Sequence, residues 1–495
     1  MTALNPIAPR GYRGRGGGLW RILPVPPTYR GTTVQVCGMW PFAAGSARPN
    51  VGVPVGVDIE TGATVCCDHF SWFQAGLISS PSMSVYGLQG LGKSSWTCRQ
   101  IIGLADRGIV SVIAGDLKGE YTGIVKALGG QVISFGGGQQ LNVLDQGQML
   151  AAANRIGGER GDALVSWAVD RATDLVVTLI QIVRRSPATD WEHALVRRAI
   201  RVLIDDYRRS PSGGEPPALP ELVKLLLNPT SDLLTTILAD DMADYAAQTK
   251  PLNRSLQAVL DGPLGDTFGG QTTERVDLSL PAVSVDISVV AKQTDDVLAA
   301  IMVATWSEVF ATIEASNALA DADLQEQRYV NTVMDEMWRP MRLSGARLVD
   351  KLDAITRLNR NDGSGNIFIT HSLKDYESME SAADNVKARG FAERSGIVVT
   401  AGLAEPDLRE LSKIKRLSEK EISTVSGWAT PPGWQARTVV DHETGKTRPA
   451  TPPGAGKVLI KVGGRAGIQN QVVLTTAELE LHDTNARWVQ QDSAR

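Results

Sequence analysis

One short segment near the start of the chain carries residue types suited to binding phosphate. Residues 87–94 read GLQGLGKS, which fits the pattern G-x-x-x-x-G-K-S. In such a segment the glycines let backbone N–H groups converge on phosphate oxygens, the lysine adds a positive charge, and the serine hydroxyl can bind Mg²⁺. The segment therefore predicts a site for a nucleoside triphosphate. The residues expected to contact the nucleotide are Gly87, Gly90, Leu91, Gly92, Lys93, Ser94 and Ser95.

Two adjacent carboxylates further along the chain supply the second half of such a site. The segment YVNTVMDE is an apolar strand that ends on Asp335 and Glu336. We expect Asp335 to hold Mg²⁺ and Glu336 to act as the general base toward an attacking water. An exposed acidic strand end is the plainer interpretation, but the phosphate loop upstream favours the catalytic one. The pair favours ATP hydrolysis coupled to work, and the lack of an NKxD motif disfavours a GTPase.

Polar residues also follow two other apolar segments, in GDLKGEY and FITHSLKD. Asp116 is expected at the nucleotide crevice, together with Lys118 and Glu120, because the carboxyl ends of parallel strands face that crevice. A charged surface turn is the alternative for this segment. Thr370 and His371 are expected beside the γ-phosphate as a polar sensor, although a lone histidine is often merely hydrogen-bonded packing.

The hydrophobic pattern predicts a scaffold that brings these strand ends together. Strands are expected at 83–86, 109–114 and 131–135, with helices at 93–107 and near 121–128. This βαβαβ order places the glycine loop between a strand and a helix, as a phosphate site requires.

The pattern then changes to continuous helical periodicity and back again. From about residue 150 to 277 strand signals are absent, which predicts a helical insertion. The α/β pattern resumes with a strand at 282–288, a helix at 294–315, and strands at 329–336, 366–370 and 396–400. The predicted fold class is therefore α/β, with a mostly parallel sheet that is interrupted by an all-helical insertion domain.

Composition shifts along the chain predict five parts. They are a flexible Pro/Gly/Arg-rich arm (1–50), an ATPase core (51–148 and 280–428), a helical insertion (149–279), a linker (429–456), and a C-terminal hairpin and tail (457–495).

The bulk composition excludes several classes of protein. The chain has 495 residues, a net charge of −4 and 43% hydrophobic residues, so it is not a basic nucleic-acid coat. Its four cysteines lack the spacing of a zinc site. No apolar run reaches the roughly 18–20 residues of a membrane span, and the N-terminus has no signal-peptide core. We expect a cytoplasmic protein.

Taken in order, the motifs resemble those of the HerA–FtsK class of hexameric pumps. The glycine loop is followed by D-x-K-G-E-Y, by N-V-L-D at 142–145, by the DE strand and by a T-H-S strand end. Within that class the chain is most similar to the VirB/TraC-type conjugation ATPases of type IV secretion systems. The segments 54–73 and 462–488 resemble the flanks of the actinobacterial branch of that family.

This resemblance implies a RecA-like core that forms a homohexamer, with ATP and Mg²⁺ bound between subunits. It implies that Ser94 and Asp335 hold the metal, and that Lys93, Glu336 and His371 serve catalysis. An arginine acting in trans is expected after the DE strand, and the candidates are Arg357, Arg360 and, behind them, Arg394. His371 stands where the family commonly has glutamine, and Leu117 where it commonly has proline.

Three functions remain open on the sequence alone. The first is an ATPase at the inner face of the cell membrane that drives a type IV secretion apparatus through membrane-bound channel components. The second is a DNA translocase or coupling ATPase that pumps DNA or a nucleoprotein directly, which the negative net charge weakens. The third is a nucleotide-dependent scaffold whose hydrolysis is vestigial, and its only support is His371.

Overall fold

The computed structural model describes residues 48–136, 138–210, 214–341, 363–377, 382–430, 438–440, 447–449 and 452–481. Arg357 and Arg360 lie outside the described residues, as do nearly all of the predicted arm and parts of the predicted linker and tail.

Thirteen strands occur in the described residues. They are β1 Pro54–Asp58, β2 Thr64–Cys66, β3 Ser82–Tyr86, β4 Val110–Asp116, β5 Gln131–Ser134, β6 Ala282–Asp286, β7 Val330–Asp335, β8 Ser364–Thr370, β9 Ile397–Thr400, β10 Thr438–Val440, β11 Thr447–Pro449, β12 Lys457–Lys461 and β13 Ile468–Val472. Eleven of them form one sheet in the order β2-β1-β13-β12-β9-β3-β8-β7-β4-β6-β5, and β10 pairs with β11 alone.

The seven neighbouring strands of the large sheet from β9 to β5 are parallel. Every residue of β3, β4, β7 and β8 is buried, because helices cover both faces of a parallel sheet. This is why these strands appear in the sequence as continuous apolar runs rather than as alternating patterns. The predicted α/β fold class is confirmed.

Sixteen α-helices occur in the described residues. They are α1 His69–Gln74, α2 Lys93–Ala105, α3 Thr122–Ala127, α4 Gly147–Ile156, α5 Gly158–Arg184, α6 Asp190–Arg209, α7 Leu219–Leu227, α8 Ser231–Thr236, α9 Met242–Asp261, α10 Gly265–Phe268, α11 Asp295–Asp321, α12 Trp338–Met341, α13 Ala382–Arg394, α14 Glu405–Ile414, α15 Glu419–Ala429 and α16 Thr476–Leu481.

Seven helices, α4 to α10, lie between β5 and β6 in the chain. The long helix α11 joins this group to the sheet, since it packs against α4, α5 and β4. Its indole at Trp306 donates to the carbonyl of Ala114 in β4 at 2.6 Å. Helix α11 is also the one helix of the described residues that is long and apolar enough to cross a membrane by length and composition. Most of its apolar window, 83%, is buried inside the molecule, as is usual for a core helix.

The C-terminal hairpin joins the main sheet, which the sequence pattern did not predict. Strand β12 pairs antiparallel with β9, and β13 pairs antiparallel with β1. A buried ion pair reinforces this arrangement, with Lys461 Nζ 2.8 Å from Glu421 Oε1 of helix α15. The residues just before β12 therefore lie close to the carboxyl ends of the parallel strands.

A buried histidine lies at the opposite, amino-terminal edge of these strands. His69 of α1 is fully buried and lies against Gly365, where a Cβ atom would come within 2.8 Å of Nε2. Burial lowers the pKa of His69 to about 4, although the nearby Asp68 carboxylate acts in the opposite direction. The imidazole is therefore neutral in the folded chain at neutral pH.

We predict that His69 makes the folded chain sensitive to acid. Between pH 6.5 and 4 the unfolded chain binds a proton at this residue and the folded chain does not, so stability falls as the pH falls through that window. Between pH 7 and pH 5 the wild type should lose about 2 kcal/mol more of its free energy of unfolding than His69→Leu does. Urea unfolding of both proteins at the two pH values measures the difference. Equal losses would contradict the assignment.

Candidate nucleotide-binding site

The glycine loop connects the end of β3 to the start of α2. Gly92 has φ = +104°, a left-handed conformation that disfavours other residues, and a Cβ atom there would lie 3.0 Å from the backbone nitrogen of Gly456. The first backbone bond of the helix runs from Trp96 N–H to Gly92 O at 2.9 Å. The N–H groups of residues 93–95 precede that bond and therefore point out of the helix start, where an anion is favoured.

Two distant segments hold the loop in place from behind. Leu88 N–H donates to Gly402 O at 3.0 Å, in the turn that follows β9. Gly456 N–H, just before β12, donates to Leu91 O at 3.1 Å. The loop conformation therefore depends on the C-terminal part of the chain as well as on its own glycines.

Lys93 is almost completely buried beneath this loop, with 9% of its surface exposed. Its Nζ donates to Gly87 O at 2.6 Å and to Leu88 O at 3.3 Å, and it lies 3.2 Å from His371 Nδ1. Burial lowers the pKa of Lys93, and the charges of Asp335 and Glu336 oppose that effect. The ammonium group thus lies where phosphates at the loop would meet it.

Asp116 organises a turn at the end of β4. Its carboxylate accepts backbone N–H bonds from Lys118 at 3.2 Å, Glu120 at 3.1 Å and Tyr121 at 2.9 Å. Burial raises the pKa of Asp116 to about 6, although these three bonds act in the opposite direction. The predicted contact between Asp116 and a nucleotide stays a prediction, since the structure uses its oxygens within the chain.

Glu120 is the acidic side chain of this turn that reaches the glycine loop. It accepts a hydrogen bond from the Ser94 hydroxyl, and its Oε1 lies 3.8 Å from Lys118 Nζ. The sequence predicts Glu120 near the crevice but predicts no contact for it. The spacing D-x-K-G-E-Y could have distinguished the role of Asp116 from that of Glu120. In this spacing the aspartate can accept hydrogen bonds from the backbone N–H groups that follow it.

Asp335 ends β7 and is buried. The hydroxyl of Tyr121 donates to its Oδ2 at 3.2 Å. Burial and the neighbouring Glu336 raise the pKa of Asp335 to about 7. A nearby cation would favour the charged form of this carboxylate, so the environment suits a metal ligand.

Glu336 follows directly in a left-handed conformation, with φ = +52°. Its Oε1 lies 2.8 Å from His371 Nε2, and its Oε2 accepts the indole N–H of Trp338 at 2.6 Å. Burial alone would raise the pKa of Glu336, but the hydrogen bonds from His371 and Trp338 lower it. Glu336 is therefore a carboxylate at neutral pH. The contact with Trp338 was not predicted from the sequence.

His371 links the lysine to the glutamate. An ammonium group can only donate hydrogen bonds, so His371 Nδ1 accepts from Lys93, and its Nε2–H donates to Glu336. The turn that carries the imidazole is fixed by Asp375, whose Oδ2 accepts from Thr370 Oγ1 at 2.7 Å and from His371 N–H at 3.1 Å. The three side chains Lys93, His371 and Glu336 form one hydrogen-bonded chain, which we call the relay.

The structure therefore brings most of the predicted residues to one edge of the sheet. Arg394 lies at the end of α13, where its guanidinium is 5.4 Å from the ring centroid of Phe391 in its own helix. Its predicted role in trans stays a prediction, like those of Arg357 and Arg360.

No family model matches this chain, and no curated protein sequence matches it. Among solved structures, VirB4 of Thermoanaerobacter pseudethanolicus is similar, with a TM-score of 0.63 and 17% identity over 88% of this chain and 100% of that one. This likeness shows that the two chains share a fold. The plasmid coupling protein TrwB in complex with the ATP analogue ADPNP gives a TM-score of 0.49 and 13% identity over 87% of this chain and 96% of that one, which supports no conclusion.

We predict opposite shifts of the His371 pKa in two variants. The hydrogen bond to Glu336 raises the pKa of His371 and the charge of Lys93 lowers it. Glu336→Gln should therefore lower this pKa, and Lys93→Ala should raise it. With five histidines in the chain, imidazole NMR titration can follow each ring, and His371→Gln assigns the signal.

His193, whose Nε2 is 3.4 Å from Asp174 far along the helical segment, is the internal control, and at a fixed pH its NMR signal should be the same in all variants. An unchanged His371 pKa in both variants would show that the relay does not exist in solution.

Proposed function

We propose that this chain is a Mg²⁺-dependent ATPase that powers a type IV secretion or conjugation apparatus. The observation that carries the proposal is the relay, in which the phosphate-binding cation Lys93 and the carboxylate Glu336 share one imidazole. The glycine loop beside it and the VirB4-like fold support the same reading.

The loop and its surroundings fit a nucleotide and its metal. Gly92 leaves no Cβ between the loop and its neighbours, and the start of α2 presents N–H groups suited to phosphate oxygens. Ser94, Asp335 and Glu120 offer hydroxyl and carboxylate oxygens, the ligand types that Mg²⁺ prefers. We assign Ser94 and Asp335 to the metal, with Glu120 beside them as the acceptor of the Ser94 hydroxyl. When bound, the metal would neutralise charge on the phosphates.

Glu336 is assigned as the general base. The two donors on its oxygens keep it ionised at neutral pH, so a carboxylate is available to take the proton of an attacking water. Hydrolysis then breaks the water O–H bond, transfers the proton to Glu336 and forms the new O–P bond, while the bond between the γ-phosphorus and the bridging oxygen breaks and ADP leaves with that oxygen. Carboxylate oxygens each have two lone pairs, so a bonded oxygen can still accept this proton.

Lys93 and His371 are assigned to the phosphates. A phosphate oxygen carries negative charge, so it competes well for Nζ with the neutral Gly87 carbonyl and with His371 Nδ1. If Nζ shifts to a phosphate, Nδ1 loses its donor, and the bond from Nε2–H to Glu336 can then change. The hydrogen bonds of the imidazole would then depend on whether a phosphate is bound, and Glu336 would be affected through its bond to this imidazole.

The assembly and its partners complete the proposal. We infer a homohexamer with ATP at the subunit contacts, an arginine supplied by a neighbouring subunit from the region of Arg357 and Arg360, and membrane-bound channel components as partners. A location at the inner face of the cell membrane follows from those partners. The transported DNA, nucleoprotein or other substrate is left open.

We predict that Lys93→Ala and Glu336→Gln both lose ATP hydrolysis, by about 10²- to 10⁴-fold, for different reasons. Lys93→Ala removes a phosphate-binding charge, so it should also weaken ATP binding. Glu336→Gln removes the base and should bind ATP at least as tightly as wild type. A steady-state ATPase assay and calorimetric ATP titration separate the two effects. Wild-type turnover in Glu336→Gln would show that the base is misassigned.

The same ATPase assay, repeated at several protein concentrations with and without DNA, distinguishes among the possible functions of the chain. A specific rate that rises steeply with concentration supports an obligate oligomer. Strong stimulation by DNA, weakened by added salt, would instead favour a DNA translocase. ATP binding without turnover at any concentration would establish a nucleotide-dependent scaffold.

A further inference from the structure

The indole of Trp338 makes an unusually close contact with the carboxylate of Glu336. The distance from Nε1 to Oε2 is 2.6 Å, shorter than the roughly 2.9 Å of a neutral N–H···O bond and closer to a bond on an ionised acceptor. Glu336 is 4% exposed, so water competes poorly for this bond. The contact is thus a charge-assisted bond in a dry environment, where loss of the donor has a large effect.

Packing and backbone geometry fix the position of this indole. Trp338 begins α12 and packs against the main hydrophobic core of the chain. The guanidinium of Arg339 lies 5.8 Å from the centroid of the indole ring. Arg339 N–H also donates to Glu336 O at 3.0 Å, which closes the turn and brings the indole back to the carboxylate two residues earlier. A tryptophan has two side-chain torsions, so a packed ring holds its N–H in a narrow range.

The backbone of Glu336 requires such support. A left-handed conformation is costly for a residue with a side chain, and it persists where surrounding contacts determine it. Glu336 N–H donates to Ile369 O at 3.1 Å on the neighbouring strand. With Trp338 on one carboxylate oxygen and His371 on the other, both the backbone and the side chain of Glu336 are held.

The two donors on Glu336 differ in chemistry. An imidazole can donate or accept, and His371 also contacts Lys93, so its bond to Glu336 can change when Lys93 moves. An indole N–H can only donate and does not titrate, so Trp338 orients the carboxylate without competing for its proton. Oε2 of Glu336 therefore keeps the same hydrogen-bond donor, Trp338, whereas the bond from His371 to Oε1 can change.

We propose that Trp338 is a positioning residue for ATP hydrolysis, whose indole N–H fixes Glu336 Oε2 so that the carboxylate keeps its orientation when His371 changes partner. This inference rests on the proposed ATPase function, and it assigns Trp338 no contact with substrate. Its contribution should appear in the hydrolytic step and should be absent from ATP binding.

The central test is Trp338→Phe, which keeps an aromatic ring for packing and removes the N–H donor. We expect kcat to fall by about 10- to 100-fold while KM and ATP affinity change less than twofold. The matched control is Trp72→Phe. Trp72 lies in α1, at the far edge of the strands, and its variant removes an indole N–H bond of 2.9 Å to Val51 O, so it should keep wild-type kcat. In a Glu336→Gln background, Trp338→Phe should cause no further loss, because the group that it positions is gone.

A wild-type kcat in Trp338→Phe, or an equal loss with and without Glu336, would overturn the proposal. A loss confined to KM would also overturn it, because that result indicates a role in binding.

A second measurement works without hydrolysis and keeps the inference separate from the proposed function. In ¹⁵N-indole NMR spectra the Trp338 N–H signal, assigned by its loss in Trp338→Phe, should lie far downfield and move upfield in Glu336→Gln. Lys93→Ala should move it much less. An indole signal whose chemical shift is unchanged in Glu336→Gln would overturn the positioning role even if the chain is an active ATPase. An inactive wild type with the expected shift would contradict the proposed function and leave the contact established.

Discussion

A buried ammonium group needs hydrogen-bond acceptors, and this need organises the centre of the molecule. Lys93 has 9% of its surface exposed, and its Nζ is held by the Gly87 carbonyl at 2.6 Å and by His371 Nδ1 at 3.2 Å. Because the ammonium can only donate, it fixes which nitrogen of His371 carries the proton, and the other nitrogen then bonds Glu336. The strands that carry or precede these residues, β3, β8 and β7, are adjacent in that order in the sheet. Because these strands are parallel and adjacent, the three side chains at their carboxyl ends lie close enough to form one continuous chain of hydrogen bonds.

The site also depends on residues that lie far from it in the sequence. The back of the glycine loop is bonded to Gly402 after β9 and to Gly456 before β12. Strand β12 in turn is fixed by its pairing with β9 and by the buried pair of Lys461 with Glu421. A substitution that disrupts the C-terminal hairpin should therefore distort the glycine loop, even though no residue of the hairpin need contact a nucleotide.

Local patterns in the sequence were sufficient to predict the fold class. They were also sufficient to predict that the main polar residues lie close together at one edge of the sheet. Glycine and lysine at fixed spacing between a strand and a helix predict the loop, and apolar runs predict buried parallel strands. Non-local pairing was not predictable in this way, because the pattern of the C-terminal hairpin is that of any hairpin. Side-chain direction was also inaccessible, so the sequence could not show that Glu120 is the acid of this turn that contacts Ser94. The bond from Trp338 depends on the left-handed backbone of Glu336, which has no signature in a non-glycine residue.

The central claim is that Lys93, His371 and Glu336 act together on a phosphate bound at the glycine loop. A structure of Glu336→Gln with ATP and Mg²⁺ tests this most directly, because the variant should retain the nucleotide. We predict that Lys93 Nζ lies on a phosphate oxygen, that the metal lies on Ser94 and Asp335, and that Trp338 is still beside residue 336. A nucleotide bound away from the loop, or Lys93 still on the Gly87 carbonyl with ATP present, would contradict it.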